Sequence, residues 1–552
     1  MSNKSVTAIS DEYVADFADL DPITASYLGF AEHDNALPDF SPDGYRARAD
    51  LAATALRAID AAEPANDAEQ LAKDVFTERV GLAVEIHDAD LEVAAYNAIE
   101  NPVWAIRQCF DMMPTDTTEH WAVIAERLAK VPAAVAGVRE SLVKALSNGS
   151  APTLRQVSKM AGQCEVWSGA LDQKPFFTTL VGQSPLPGVA TLAEAATKAY
   201  ADFASFLRDE IAPKTPDRDA VGLDAYRIWS RNFTGARLDL DEAYEWAWGE
   251  FFRIGEEMRK TADRIRPGAT PAEVSELLDA DPRHHVLGRE TFRSYLQQLS
   301  DKALADLRGV HFDIPDELMK LECRLAPPGG SIGGYYAGPS DDFSRPAGMW
   351  WSLPSDQEVF PTWREVSVLY HEGVPGHHLH IATAMYQKDK LNTYQRLLGF
   401  VSAHAEGWAL YAERLMRDLG YLDDDAHVLG MLLEQHLRAA RVILDIGMHL
   451  RLTIPTGTNF HEGERWTPDL GLKFLNEMTI SDKASLPDEI DRYLGWAGQA
   501  PGYKLGERVW LTAIDDARRR HGDAFDLKHF HAHALEMGSI GLDLLRDRLA
   551  RY

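Results

Sequence analysis

The stretch Tyr370-His371-Glu372-Gly373-Val374-Pro375-Gly376-His377-His378-Leu379-His380 decides how the rest of the chain is read. Nineteen histidines in 552 residues predict about a third of one per ten positions, yet residues 371–380 hold four. The first stands directly before a glutamate, the order in which zinc peptidases place a ligand and its general base. In the usual spacing, His-Glu-x-x-His, the two imidazoles lie one turn apart on one helical face. Here Pro375 takes the second histidine's position, and the next histidine is His377. On a regular helix His377 would sit roughly 120° around and about 9 Å along from His371, too far to share an ion. His378 returns to the right face, but about 10.5 Å up the axis. A metal site here requires a deformed helix.

The flanking residues bear on that requirement. Thr362-Trp363-Arg364-Glu365 reads as a capping box, and Val366, Val368, Leu369 and Tyr370 carry a mostly apolar helix to His371. Gly373, Pro375 and Gly376 then fall inside it. An interior proline costs about 3 kcal/mol and each glycine about 1 relative to alanine, so ordinary packing gives no reason for them. A bulged or broken turn that swings His377 back beside His371 gives one. The alternative is a helix that ends at Glu372, followed by a histidine-rich loop.

Downstream, Ala405 to Leu415 is helical in period and stops at Gly420. Glu406 and Glu413 lie two turns apart on one face of it, and a buried carboxylate needs a partner such as a metal. Glu406 follows His371 by 35 residues, room for one helix, a turn and an antiparallel return. The other reading is a solvated glutamate stripe. From Leu429 to Leu452, Leu433, Leu437, Ala440, Leu444, Gly447 and Met448 form an apolar stripe. Arg438, Arg441, Asp445 and His449 form a second one, either an ion-pair ladder or a polar wall facing substrate. Gln499 and Tyr503 sit on a glycine-rich turn between Gly498 and Gly506. Tyr503 is a candidate oxyanion donor, a group zinc peptidases need beside the metal.

Upstream, the first 220 residues read as consecutive helices. Ser10 is expected to cap Asp11–Leu20, Asp43–Ala62 has helical spacing, and Thr191-Leu192-Ala193-Glu194 is expected to box a helix running to about Ile211. Residues 182–188 and 212–219 read as loops, and Trp104, Trp121 and Trp167 as core. A long amphipathic helix begins near Leu238, and Thr270-Pro271 restarts helix with proline at its first position. The change of character is Pro327 to Pro354. There Gly333–Ala337 and Met349–Leu353 read as two short strands joined through Asp341, Asp342 and Arg345. They stand directly before the His371 helix, where an edge strand binds substrate backbone in many zinc peptidases. The expected architecture is mainly α: a large single helical body with a deep channel and a small antiparallel β element. An N-terminal helical region, 1–230, and a catalytic region, 231–552, are expected to form one continuous body.

Composition sets the outer limits. Fifty-six Lys and Arg against 85 Asp and Glu leave a net charge of −29, which repels phosphate backbones and anionic lipid. Nucleic acid and membrane are therefore not expected partners. Cys109, Cys164 and Cys323 are too few and too scattered for a disulfide framework, so a reducing cytoplasm is the expected location. Met1 to Thr7 contains no apolar stretch of the signal-peptide kind, and no window approaches a spanning helix.

Leu369-Tyr370-His371-Glu372-Gly373-Val374-Pro375-Gly376-His377-His378-Leu379 resembles the signature His-Glu-x-x-Pro-Gly-His-His of a widespread bacterial family known as a domain of unknown function and regarded as zinc metallopeptidases. Further blocks agree in order and spacing: Gly334-Tyr335-Tyr336 with Ser344-Arg345-Pro346, Glu406 to Leu415, Arg438 to His449, and Gln499 to Gly506. With a weaker likeness over Pro22 to Pro42, the resemblance spans nearly the whole chain. It implies a helical body with a deep channel, distantly similar to carboxypeptidase Taq and the thimet-type oligopeptidases. Dipeptidyl peptidase III, with one residue inserted before its second histidine, is similar in keeping both as ligands; here two are inserted. His380 stands where the family usually has glutamine, and Ala497 where it often has proline.

The resemblance implies a zinc hydrolase of peptide bonds, an exopeptidase or oligopeptidase acting on short peptides or related amides. One zinc ion per chain would be held by His371, His377 and Glu406, with His378 as the substitute if the turn has another shape. Glu372 would act as general base and Tyr503 as oxyanion donor. Tyr335, Tyr336, Arg345, Arg441, His449 and Gln499 would bind substrate, and Asp445 would orient a ligand histidine. A metal-dependent amidase of a small metabolite and a metal-free helical binding protein are the other two readings.

Overall fold

Side chains that satisfy the orphan N–H groups of helix starts recur along the chain. Ser41, Asn66, Asn101, Thr117, Asp239 and Asp424 each accept a backbone N–H in the first turn of the helix they precede. At Thr270 the full reciprocal box with Glu273 forms, with Pro271 at the first helical position. The computed structural model describes residues 4–170, 173–326, 333–354 and 356–552. Residues 1–3, the beginning of the Met1–Thr7 stretch, and 327–332, the beginning of the Pro327–Pro354 stretch, lie outside the described residues. The protein is mainly helical, with twenty-four α-helices and five short strands among the described residues, so its cores are built by helix packing.

The chain forms two compact units, Met1–Ile228 with Leu494–Trp496, and Trp229–Tyr493 with Ala497–Tyr552. In the first, the helices Thr118–Asn148, Leu154–Ser168 and Val189–Phe206 close around Phe110, Leu128, Val138, Met160, Phe177 and Tyr200. Trp121 belongs to this core; Trp167 packs against it partly buried, and Trp104 is only half-buried. In the second, Leu240–Ile265 packs along Asp425–Leu450, with Trp248, Phe251, Trp466 and Phe474 filling the contact.

Several expected boundaries move, each for a local reason. The first helix runs from Val6 with Ser5 as its cap; Ser10 is buried inside it and donates to the Val6 carbonyl. The helix expected at Thr191 begins at Val189 after Gly188, whose φ of +81° suits glycine. Thr362 opens the His371 helix without capping it. Its hydroxyl donates to the His284 carbonyl, and the Glu365 carboxylate accepts from the Trp351 indole. Tertiary partners have taken both halves of the expected box.

Strands β1 (His285–Leu287), β2 (Leu321–Leu325), β3 (Gly333–Ala337), β4 (Ala347–Ser352) and β5 (Val359–Pro361) form two sheets. The expected antiparallel pair is β3 with β4, Tyr335 opposite Trp350 and Tyr336 opposite Met349. β2 adds to it in parallel, and β4 is central, which leaves β3 as an outer strand of this sheet among the described residues. β1 and β5 pair separately, and β5 leads straight into the His371 helix. No helix among the described residues is long and apolar enough to cross a membrane.

Candidate metal centre

The helix Thr362–Glu372 stops one residue after His371, and the next five residues fold back beneath its end. The Gly376 N–H donates to the Tyr370 carbonyl and the His378 N–H to the Gly373 carbonyl. A Cβ on Gly376 would lie 1.9 Å from the His371 carbonyl oxygen, so only glycine permits this approach. The chain then resumes as a π-turn, His378–Ala382. The helix end expected in one reading and the returning turn expected in the other are both present.

The turn is fastened to the helix Ser402–Asp418, whose Trp408 indole N–H donates to the Pro375 carbonyl at 2.7 Å and the Gly376 carbonyl at 3.1 Å. That helix also carries Glu406, two residues before Trp408. It is itself pinned to the helix Gly502–His521 by a backbone-close crossing, where a Cβ on Gly407 would meet the Gly506 carbonyl carbon at 2.3 Å.

These elements bring three donors to one point. His371 Nε2 lies 3.2 Å and His377 Nε2 3.5 Å from Glu406 Oε2, and ligand atoms of all three residues fall within 4.8 Å of one another. For a tetrahedral zinc with bonds of 2.0–2.1 Å, neighbouring donors are about 3.4 Å apart, so the carboxylate-to-imidazole separations fit. The two rings stand edge to face, centroids 4.8 Å apart. His371 is 5% and His377 8% exposed, while 19% of the Glu406 side chain faces solvent. Glu372 Oε2 is 4.0 Å from His377 Nε2, beside the group but outside the shorter set.

Charge among these side chains follows from this crowding. Burial pushes the His371 imidazole pKa down, but hydrogen bonds to Glu406 and Glu413 and the charges of Glu413 and Glu372 push it up more strongly, to about 10. Burial works against ionisation of Glu406; the charge of His377 and hydrogen bonds from both histidines overcome it and hold the carboxyl well below its usual range. A cation is thus already compensated here, and a metal ion would take the proton's place.

Behind the trio stands a residue whose part the sequence reading did not assign. Glu413, 2% exposed, accepts from His371 Nδ1 at 2.7 Å and from the Ser367 hydroxyl at 3.1 Å. This fixes the ring with Nε2 turned toward Glu406. The spacing from Glu406, two turns along one face, was the available signal. Asp445, expected in this role, accepts the Gly498 N–H instead.

His378 is committed elsewhere. Burial depresses its pKa to about 4, so the ring is neutral with one N–H; Nε2 donates to the Leu318 carbonyl at 2.7 Å, and Nδ1 accepts from the Tyr336 hydroxyl at 3.1 Å. His380 is buried against His404, ring centroids 4.6 Å apart.

The remaining candidates fall into two groups. On β3, Tyr335 is 47% exposed and stacks on Trp350, while Gly334 backs onto Val368 and Glu372; a Cβ there would lie 3.4 Å from Glu372 Cγ. Arg345 is exposed and donates to the Gly338 carbonyl, closing its own loop. The second group surrounds Tyr503, which lies in the first turn of its helix and not on a loop. Its hydroxyl and Gln499 Oε1 both accept from Arg492, at 3.0 Å each. Arg441 lies over the Tyr503 ring, 4.9 Å from its centroid, and binds Glu489 through two nitrogens. His449 Nε2 bonds the Tyr493 carbonyl. Arg441 and His449 are buried and spend their polar groups inside the protein.

Fold and site together define an α-helical protein with a candidate two-histidine, one-carboxylate metal centre. The chain belongs to the DUF885 family, described as a bacterial protein of unknown function, which it matches over residues 22–549. No curated protein matches it. A crystal structure from Colwellia psychrerythraea, described as a candidate lipoprotein, is similar with a TM-score of 0.84 at 20% identity, covering 99% of this chain and 98% of that one. A solved structure from Shewanella oneidensis, described as a candidate lipoprotein of unknown function, is similar with a TM-score of 0.76 at 17% identity, covering 99% of this chain and 100% of that one. At these identities the likeness establishes the fold alone.

Proposed function

We propose that the protein is a zinc-dependent hydrolase of peptide bonds, acting as an exopeptidase or oligopeptidase on short peptides. The reading rests on one observation above others: two imidazole Nε2 atoms converge on one Glu406 oxygen at 3.2 and 3.5 Å, with a second carboxylate, Glu372, standing just outside.

His371, His377 and Glu406 would hold the ion, with Glu413 turning the His371 ring toward it. A zinc ion bound there supplies Lewis acidity, lowering the pKa of water toward neutrality and polarising a carbonyl. Glu372 takes the proton of the attacking water and passes it to the leaving amine. Tyr503 stabilises the oxyanion of the tetrahedral intermediate. Its oxygen accepts from Arg492, which leaves its own proton to donate, whereas the proton of Tyr336 goes to His378. The outer side of β3, with Gly334 backing onto Glu372, is the place for an extended substrate backbone.

The test is a peptide library with free and blocked termini, run on the zinc-loaded protein and on Glu372→Gln. Cleavage by the former and not the latter supports the reading, and the preferred terminus divides exopeptidase from oligopeptidase. Equal cleavage by both would remove Glu372 from the mechanism. A cytoplasmic location is proposed on the three free, buried cysteines. The lipoprotein descriptions of the similar structures point instead to the cell envelope, and fractionation of the native host separates the two.

A further inference from the structure

Glu413 is held from behind by a buried polar chain that the hydrolytic scheme does not use. Gln435 Nε2 donates to Glu413 Oε2 at 3.4 Å and to the Leu410 carbonyl at 3.3 Å. Its Oε1 accepts from Lys504 Nζ at 2.9 Å and from Arg414 at 3.4 Å. Lys504, 1% exposed by side chain, also meets Glu507 and Glu250, and Arg414 Nε donates to Glu507 at 2.8 Å. The amide therefore has cations on one side and acceptors on the other. Lys504 and Arg414 only donate, so the amide oxygen must face them and its NH2 must face Glu413. A flipped amide would set its oxygen against the carboxylate and its NH2 against two cations.

Such a network is costly for stability alone. Buried charges lose solvation that apolar side chains of similar volume would not, and buried pairs are weak stabilisers for that reason. We propose that Gln435 and Lys504 are positioning residues of the metal centre: Lys504 sets the direction of the Gln435 amide, and the amide holds Glu413 so that His371 keeps Nε2 turned toward Glu406 and His377. This rests on the zinc-site reading above. It extends the centre across three helices, with Glu413 on Ser402–Asp418, Gln435 on Asp425–Leu450 and Lys504 on Gly502–His521.

The experiment is a zinc titration against a competing chelator on the full chain, with Co(II) substitution as a spectroscopic readout. Gln435→Met and Lys504→Met are each expected to weaken zinc binding by about tenfold or more, the range for loss of an outer-shell partner. The double variant should lose little beyond the larger single loss, because both act along one path. The visible Co(II) bands of both variants should shift from those of the wild type. Folded variants that keep wild-type zinc affinity within twofold and unchanged Co(II) bands would overturn the proposal while leaving the zinc site standing. A wild type that takes up no zinc would overturn the zinc reading and this one with it. Should Lys504→Met not fold, Gln435→Met, neutral for neutral and close in size, decides by the same two measurements.

Discussion

Two carboxylates stand beside His377, and small differences in distance divide their work. Glu406 reaches both imidazoles at 3.2 and 3.5 Å, while Glu372 stays 4.0 Å from the nearer one. On this account Glu372→Gln keeps one zinc per chain but lowers kcat by about 10²–10⁴-fold, the span for loss of a general base; metal analysis beside steady-state kinetics checks it. Glu413→Gln should weaken zinc by about 10–100-fold through loss of ring orientation, read by chelator competition. Much of this trio was legible in the sequence, because Gly373, Pro375 and Gly376 make no sense inside a plain helix. Glu413 was not: seven positions after Glu406 it looked like part of a stripe, and only the antiparallel placement of its helix shows that it lands on His371 Nδ1. The same limit applies to Arg441 and His449. Their spacing marked a polar row, but not that Glu489 and the Tyr493 carbonyl would occupy it.

The returning turn depends on two close approaches that side chains would prevent. Gly376→Ala would place a Cβ 1.9 Å from the His371 carbonyl, and the turn must open to admit it. The expected result is a protein that stays helical by circular dichroism yet loses zinc affinity, because His377 is displaced from Glu406. Gly407→Ala would press on Gly506 from 2.3 Å and push the Glu406 helix from its neighbour. A loss of about 1–3 kcal/mol in denaturant unfolding is expected from overpacking of this kind. Elements with strong periodicity were readable: the helix Ser402–Asp418 lies where its apolar spacing put it. Ends were less so. The Thr362 box failed because His284 and Trp351 offered its side chains better partners, and β1 and β5, three residues each, are too short to carry a period.

Stability of the site-bearing unit is tied to charge. Burial raises the Glu489 pKa, but the Arg441 and Arg492 charges and the Tyr493 hydrogen bond outweigh it and bring it to about 2. A carboxyl depressed in the folded state stabilises fully above its unfolded value, near 4.5, and that stability is lost as pH falls toward 2. Between those limits Glu489→Gln should unfold with a shallower pH dependence than wild type, a difference on the order of 3 kcal/mol across the window, measured by denaturant titration at several pH values. The family match covers residues 22–549, so the centre sits within a fold shared along nearly the whole chain. The claim on which everything else depends is that this fold closes two imidazoles and one carboxylate around a single ion. Anomalous diffraction at the zinc edge, from crystals of zinc-loaded protein, tests it most directly. One peak per chain is expected, bonded to His371 Nε2, His377 Nε2 and Glu406; a loaded crystal with no peak between these residues, or with its zinc elsewhere, would show that they do not form the site.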